Sequence, residues 1–292
     1  HLSAALELYQ ASALVHDDII DKADERRGMP TPHRTLADYH AVQSWIGSST
    51  DFGRHGAILV GDFLFSAATA AADEQALTLR EDCARAFARR FADMHAEVAL
   101  GQYLDITAEQ TPLDPERTDA LSTSDSLEVA LHKSAHYSVV HPALLGAICG
   151  ASSFDRVADL LGILETILTP WGLAFQLRDD DLGVFGDPAV TGKPAGDDLR
   201  EGKRTALLAL TWEASSPAER RALTDVLGVA EASAEQIATA TDIVERNGRA
   251  AHEAEIARLV ADGDAALEAS TFDEDARAML RELCSILTAR RA

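Results

Sequence analysis

Apolar residues recur at helical spacing from the start of the chain. Leu2, Leu6, Tyr9 and Ala13 fall near one face that ends in Asp17, and the alternate face is also largely apolar. That pattern predicts a buried helix terminating in acid. Residues 26–55 carry Gly, Pro, Ser and Thr and read as loop with short helix. Residues 56–72 (GAILVGDFLFSAATAAA) read as a helix of small residues suited to close packing. Helical periodicity continues over 76–107, over 116–150 as one or two helices, and over 156–185 as a long apolar stretch. The run 186–202 (GDPAVTGKPAGDDLREG) has the composition of a mobile loop. Beyond it, Ser216-Pro217-Ala218-Glu219 is a capping box with proline at the first helical position. Two or three amphipathic helices follow, with Asn247-Gly248 as a stop or kink. No segment alternates with strand period and none repeats, so residues 1–292 read as one all-α domain.

Composition agrees and narrows the function. Aromatics are 5% of residues and alanine and leucine abound, which favours helix over sheet. The formal charge of −22 disfavours nucleic acid, whose phosphates the surface would repel. An anionic small substrate stays open if cations or a local basic cluster meet it. Cys83, Cys149 and Cys284 are odd in number and form no CxxC pair, as for reduced thiols in a cytoplasmic protein. The run 138–154 holds no Asp, Glu, Lys or Arg, but His141 and Pro142 lie within it. Glu165 and Pro170 interrupt 160–177, so no stable membrane insertion is expected. The chain opens at His1 already in helical pattern, which leads us to expect a missing N-terminal helix or helices.

Two acidic clusters carry the chemistry. In LVHDDIIDKADERRG, residues 14–28, Asp17 and Asp21 are four apart. On a helix they share a face and can bind one or two divalent ions, and magnesium favours a few carboxylates plus substrate phosphate oxygens. In so acidic a chain this spacing arises often by chance and decides nothing alone. The second cluster changes that. FQLRDDDLGVFGD, residues 175–187, again places adjacent acids, Asp179 and Asp180, at the end of an apolar helix. Unneutralised acids at buried helix ends repel and lose hydration. Two such clusters suggest a metal-bound anion between them. The histidines show no pairing with metal-ligand spacing, and His16 reads as structural or as a neighbour of the ligands.

At this point the chain closely resembles the trans-polyprenyl diphosphate synthases. The resemblance rests on LVHDDIIDKADERRGMPT, ILVGDFLFSAA at 58–68, GQYLDI at 101–106, HKSAHY at 132–137, FQLRDDDLGVFGD, and TGKPAGDDLREGKRTALL at 191–208, in the family's order and spacing. It implies a large all-α bundle of about a dozen helices around a central cavity, acting as a homodimer. It implies head-to-tail condensation of isopentenyl diphosphate with a dimethylallyl, geranyl or farnesyl diphosphate.

By the same resemblance, Asp17, Asp21 and Asp179 are the direct ligands of a cluster of three Mg2+ ions, with Asp18 and Asp180 nearby or in the shell behind. Arg26, Lys133, Lys193 and Lys203 match positions that clamp the allylic diphosphate. Arg27 and Gln10 match positions that reach isopentenyl diphosphate. Ser134, usually threonine, and Gln176 match positions beside the developing cation. The family's glycine–lysine–arginine segment before the first aspartate motif does not occur here, and Gly183 stands where the second motif often has its last aspartate. Small Ser12 and Ala13 leave room for a growing chain and Tyr9 forms its floor, which predicts a product of about twenty carbons, with twenty-five as the upper reading. Three rivals are a class I terpene cyclase, a non-catalytic partner subunit and a helical metal-binding protein without catalysis. DDDLG lacks the cyclase's Asn/Ser/Glu triad, both aspartate motifs are largely kept, and the ordered lysines and arginines disfavour a simple metal binder.

Overall fold

The helical pattern is realised in the computed structural model, which describes residues 1–186, 196–229 and 231–288. Most of the loop expected over 186–202, Lys193 included, lies outside the described residues. The rest forms two compact units, the first spanning His1–Arg89 and the second beginning at Arg90.

In the first unit, α1 (Leu2–Ile20) and α2 (Pro32–Val42) pack on α3 (Ser49–Ala76). The small residues of α3 set these approaches. A Cβ on Gly53 would overlap the His33 carbonyl oxygen, and one on Gly61 would overlap the His16 ring. Ala57 and Ala68 are fully buried on the same helix. Ser12 Oγ donates to the Gly61 carbonyl at 2.8 Å, tying α1 to α3.

Between α1 and α2 sits a hairpin that hydrophobic alternation could not reveal, because its strands are two residues each. β1 (Glu25–Arg26) pairs antiparallel with β2 (Met29–Pro30), Arg26 opposite Met29. Arg27 (φ 55°) and Gly28 (φ 71°) both adopt left-handed backbone, as a tight type I′ turn demands. The hairpin fixes where Arg26 and Arg27 leave the chain.

α4 (Glu81–Gln110) begins in the first unit and continues into the second. There the expected one or two helices over 116–150 are a short 3-10 turn (Thr118–Ala120) and then one helical run in three parts: α5 (Thr123–Ala130), a π-helical segment (Leu131–Val140) and α6 (His141–Gly150). The wide winding has a local cause. Pro142 has no N–H, and in α-helical geometry its ring would meet the carbonyl four residues back. The π winding hands the His141 N–H to the His136 carbonyl instead.

The run is flanked by α4 and by α7 (Phe154–Phe185) at glycines. A Cβ on Gly101 would overlap the Lys133 backbone, and one on Gly172 would lie 2.9 Å from the Ala135 carbonyl oxygen. α7 and α3 are each long and apolar enough, by length and composition, to cross a membrane. α7 is a core helix, however. Ile167, Leu168, Trp171 and Leu177 are fully buried, and Trp171 Nε1 donates to the Val260 carbonyl at 3.3 Å. Each such side chain contributes about 1.5–3 kcal/mol by leaving water.

The remaining helices are α8 (Asp197–Glu201), α9 (Ala206–Ala214), α10 (Pro217–Thr224), α11 (Ala234–Asn247), α12 (Arg249–Ala269) and α13 (Glu274–Thr288). The Ser216–Glu219 capping box forms as the sequence predicts, and a second joins Ser233 to Gln236. Gly248 separates α11 from α12 where a Cβ would overlap Thr211 Oγ1.

Candidate active site

The acidic end of α1 is folded against the hairpin. Arg26 donates from Nε to Asp18 Oδ1 at 2.7 Å and from Nη2 to Asp17 Oδ2 at 3.1 Å. Asp18 turns inward and is 2% exposed, while Asp17 and Asp21 are half-buried. Burial raises the Asp18 pKa, and Arg26 opposes that rise. Asp21 ends α1, its N–H donating to the Asp17 carbonyl at 2.8 Å. Arg26 thus neutralises acids of its own motif, whereas Arg27 is exposed at the turn. Gln10 is half-buried two turns up α1.

Two of the residues expected to set product length have contacts on α3. Tyr9 is buried edge-on to Phe65, ring centroids 6.1 Å apart, and Ser12 spends its hydroxyl on Gly61. Both therefore address α3. Ala13, one turn before Asp17, is half-buried.

At the end of α7, three consecutive aspartates take three environments. Asp179 is exposed. Asp180 is buried and accepts from Gln176 Nε2 at 2.8 Å. Burial, then the charges of Asp198 and Asp179, push its pKa well above the usual carboxylate range. Asp181 is buried the other way, on Arg249 Nε at 3.2 Å. Asp198 on α8 was not singled out from the sequence, although it lies in the quoted GKPAGDDLREGK run. Its carboxylate rests against Gly183, where any Cβ would overlap it. Lys203 Nζ lies 2.6 Å from Glu201 Oε2 and 3.7 Å from Asp198 Oδ1.

Lys133 sits on the π-helical segment and donates to Asp105 Oδ2 at 2.5 Å. Asp105 is the buried acid of the GQYLDI motif and is a second residue the sequence reading passed over. Ser134 follows on the same segment, half-buried.

The reading of the histidines needs correction. His132 Nδ1 and His136 Nδ1 lie 2.6 and 2.5 Å from Glu97 Oε1, and His141 Nε2 lies 2.7 Å from Oε2. Glu97, His132 and His136 meet metal-ligand spacing. Burial works to raise the Glu97 pKa, but the hydrogen bonds from His136, His141 and His132 overcome it and leave it far below the usual carboxylate range. The sequence signal was the i, i+4 pair His132 and His136; the i+9 partner needed the π winding to be seen.

The polyprenyl synthetase family model matches residues 1–244 of this chain. The chain belongs to the polyprenyl synthetase family. Members of this prenyltransferase family include the geranylfarnesyl diphosphate synthase of Aeropyrum pernix, 34% identical over 249 residues, covering 85% of this chain and 68% of that protein. The geranylgeranyl diphosphate synthase of Mycobacterium tuberculosis is 32% identical over 289 residues, covering 97% of this chain and 72% of that one. Among solved structures, the fold superposes on a geranylgeranyl pyrophosphate synthase from Corynebacterium glutamicum complexed with isoprenyl diphosphate and magnesium. The TM-score is 0.88 at 38% identity, covering 99% of this chain and 78% of that one. The polyprenyl synthetase chain described here is thus shorter than these relatives, spanning between 61% and 73% of the curated ones.

Proposed function

We propose that this protein is a magnesium-dependent prenyltransferase that joins isopentenyl diphosphate to an allylic diphosphate and releases a trans-polyprenyl diphosphate of about twenty carbons. The observation that carries the reading is the acidic end of α7. Asp180 is buried beside the negative charges of Asp179 and Asp198, with Lys203 near, an arrangement that favours an added cation. The donor set fits magnesium, being carboxylate oxygens throughout: Asp17 and Asp21 on α1, and Asp179 on α7. Bound magnesium supplies charge withdrawal that makes diphosphate a leaving group.

The chain's own residues do the rest. In the reaction the allylic C–O bond breaks and its electron pair leaves with diphosphate. The double bond of isopentenyl diphosphate then forms the new C–C bond, and a proton leaves to the released diphosphate. No protein nucleophile is required. Arg26, Lys133, Lys193 and Lys203 hold the leaving diphosphate, while Arg27 and Gln10 hold the second substrate. Asp105 aims the Lys133 ammonium, and Gln176, fixed by Asp180, presents its carbonyl dipole with Ser134 to the allylic cation.

Relatives carry geranylgeranyl, geranylfarnesyl and farnesyl names, so product length rests on this chain's own Tyr9, Ser12 and Ala13. Exposed Leu59 and Phe63 on α3 support a homodimer, and three cysteines outside any disulfide support a cytoplasmic protein. The test is incubation with magnesium, labelled isopentenyl diphosphate and primers of ten, fifteen and twenty carbons, followed by product sizing. Chain-extended diphosphates support the reading. A hydrocarbon would mark a cyclase, and no elongation with any primer would leave a non-catalytic subunit.

A further inference from the structure

We propose that Glu97, His132 and His136, with His141 holding the Glu97 carboxylate from behind, form a second metal site, separate from the magnesium-binding aspartates and suited to a zinc-class transition ion. All four residues belong to the second unit. One carboxylate meets three imidazoles at 2.5–2.7 Å, and the ligand atoms of Glu97, His132 and His136 lie within 4.8 Å of one another. Two nitrogens and one oxygen, with a water in the fourth position, are the donor set of a four-coordinate zinc site and a poor set for magnesium, and His141 holds the other Glu97 oxygen.

The π winding is what assembles them. At 3.6 residues per turn, residues nine apart point to opposite sides of a helix, so His141 would face away from His132. At the wider π pitch of about 4.4 residues per turn, positions i, i+4 and i+9 return to one face. His132, His136 and His141 occupy those positions across Leu131–Val140 and the first residue of α6. Such π insertions concentrate at functional sites.

The surroundings fit ligation. Glu128 Oε2 lies 3.3 Å from His132 Nε2, so it accepts that nitrogen's N–H and orients the ring with Nδ1 towards Glu97. The side chains of His132, Glu97 and His136 are 29%, 21% and 19% exposed, leaving an entry route, while His141 is buried beneath. Three imidazoles exceed what one carboxylate needs for its charge. The protons they share with Glu97 hold the places an ion would take, at about 2.0–2.2 Å from each ligand, with those protons released on binding. Since Lys133 and Ser134 lie between His132 and His136, an ion here fixes the segment that carries them.

The experiment uses the full chain, stripped with chelator and titrated with Co2+ as a spectroscopic probe, then with Zn2+. The expected result is one Co2+ bound with the intense visible absorption of tetrahedral nitrogen and oxygen coordination, displaced by Zn2+, which raises Tm by several degrees. His132→Gln/His136→Gln weakens binding at least about 10-fold and removes the absorption. Asp17→Asn/Asp179→Asn keeps both. Absorption that is absent from the native protein, that survives the histidine changes, or that is lost with the aspartates overturns the proposal. If circular dichroism shows the double histidine variant unfolded, the single His132→Asn change, at the more exposed position, gives the same reading.

Discussion

The carboxylate of Asp198 rests against Gly183, so closely that a Cβ at position 183 would overlap it. The glycine that interrupts the second aspartate motif is therefore not a simple loss. An acid from α8 stands where the side chain at 183 would begin, and Lys203 accompanies it.

Restoring the motif at its old position should accordingly do harm. Gly183→Asp is expected to lower stability by about 1–3 kcal/mol through overpacking and like charge, without raising activity. Adding Asp198→Gly should recover much of the lost Tm. Thermal melts of the two variants check this, and a single variant as stable as the native protein would disprove the contact.

Asp180 gives a pH prediction. Burial raises its folded pKa above the unfolded value, so the folded state holds the proton more tightly. Its contribution to stability is full below the unfolded pKa of about 4 and is lost as pH rises through the folded value. Asp180→Asn should therefore stabilise the magnesium-free protein at neutral pH by about 1–2 kcal/mol and flatten the dependence of Tm on pH, while lowering turnover. Melting curves between pH 4 and 8 measure it. A variant that melts lower than the native protein at pH 7 contradicts the assignment.

Gly101 sets the position of Lys133. Gly101→Ala should push α4 off the Lys133 backbone, stretch the 2.5 Å contact to Asp105 and cut kcat by about 100-fold, with a smaller change in KM for isopentenyl diphosphate. Steady-state kinetics decide it, since a purely structural glycine would lower Tm with kcat per folded enzyme unchanged.

Helices with strong period, the Ser216 capping box and the two acidic clusters were legible because each depends on neighbours in sequence. The hairpin at Glu25–Pro30 was not, because two-residue strands show no alternation and the signal reduces to Arg27 and Gly28 in the left-handed region. Asp105 and Asp198 escaped because their importance lies in contacts with Lys133 and Gly183, far along the chain. The histidine cluster escaped for a different reason. His132 and His136 are at α-helical spacing, but His141 joins their face only with the π winding that Pro142 promotes, and Glu97 comes from another helix.

Tyr9 tests the steric account of product length. Its ring packs on Phe65, so a floor formed by Tyr9 would involve two aromatics rather than one. Tyr9→Leu, gentler than alanine, should lengthen the product by one five-carbon unit at a stability cost of about 1–3 kcal/mol, and Phe65→Leu should add to the effect. Chromatography of the prenyl alcohols reads it. An unchanged product with both substitutions would reduce Tyr9 to core packing.

The most direct measurement is incorporation of labelled isopentenyl diphosphate into a chain-extended, acid-labile product by the purified chain, with and without magnesium, beside Asp179→Asn. Magnesium-dependent elongation that falls at least about 100-fold in the variant is the predicted result. No incorporation by the native protein with any allylic primer, or incorporation indifferent to Asp179, would contradict the account.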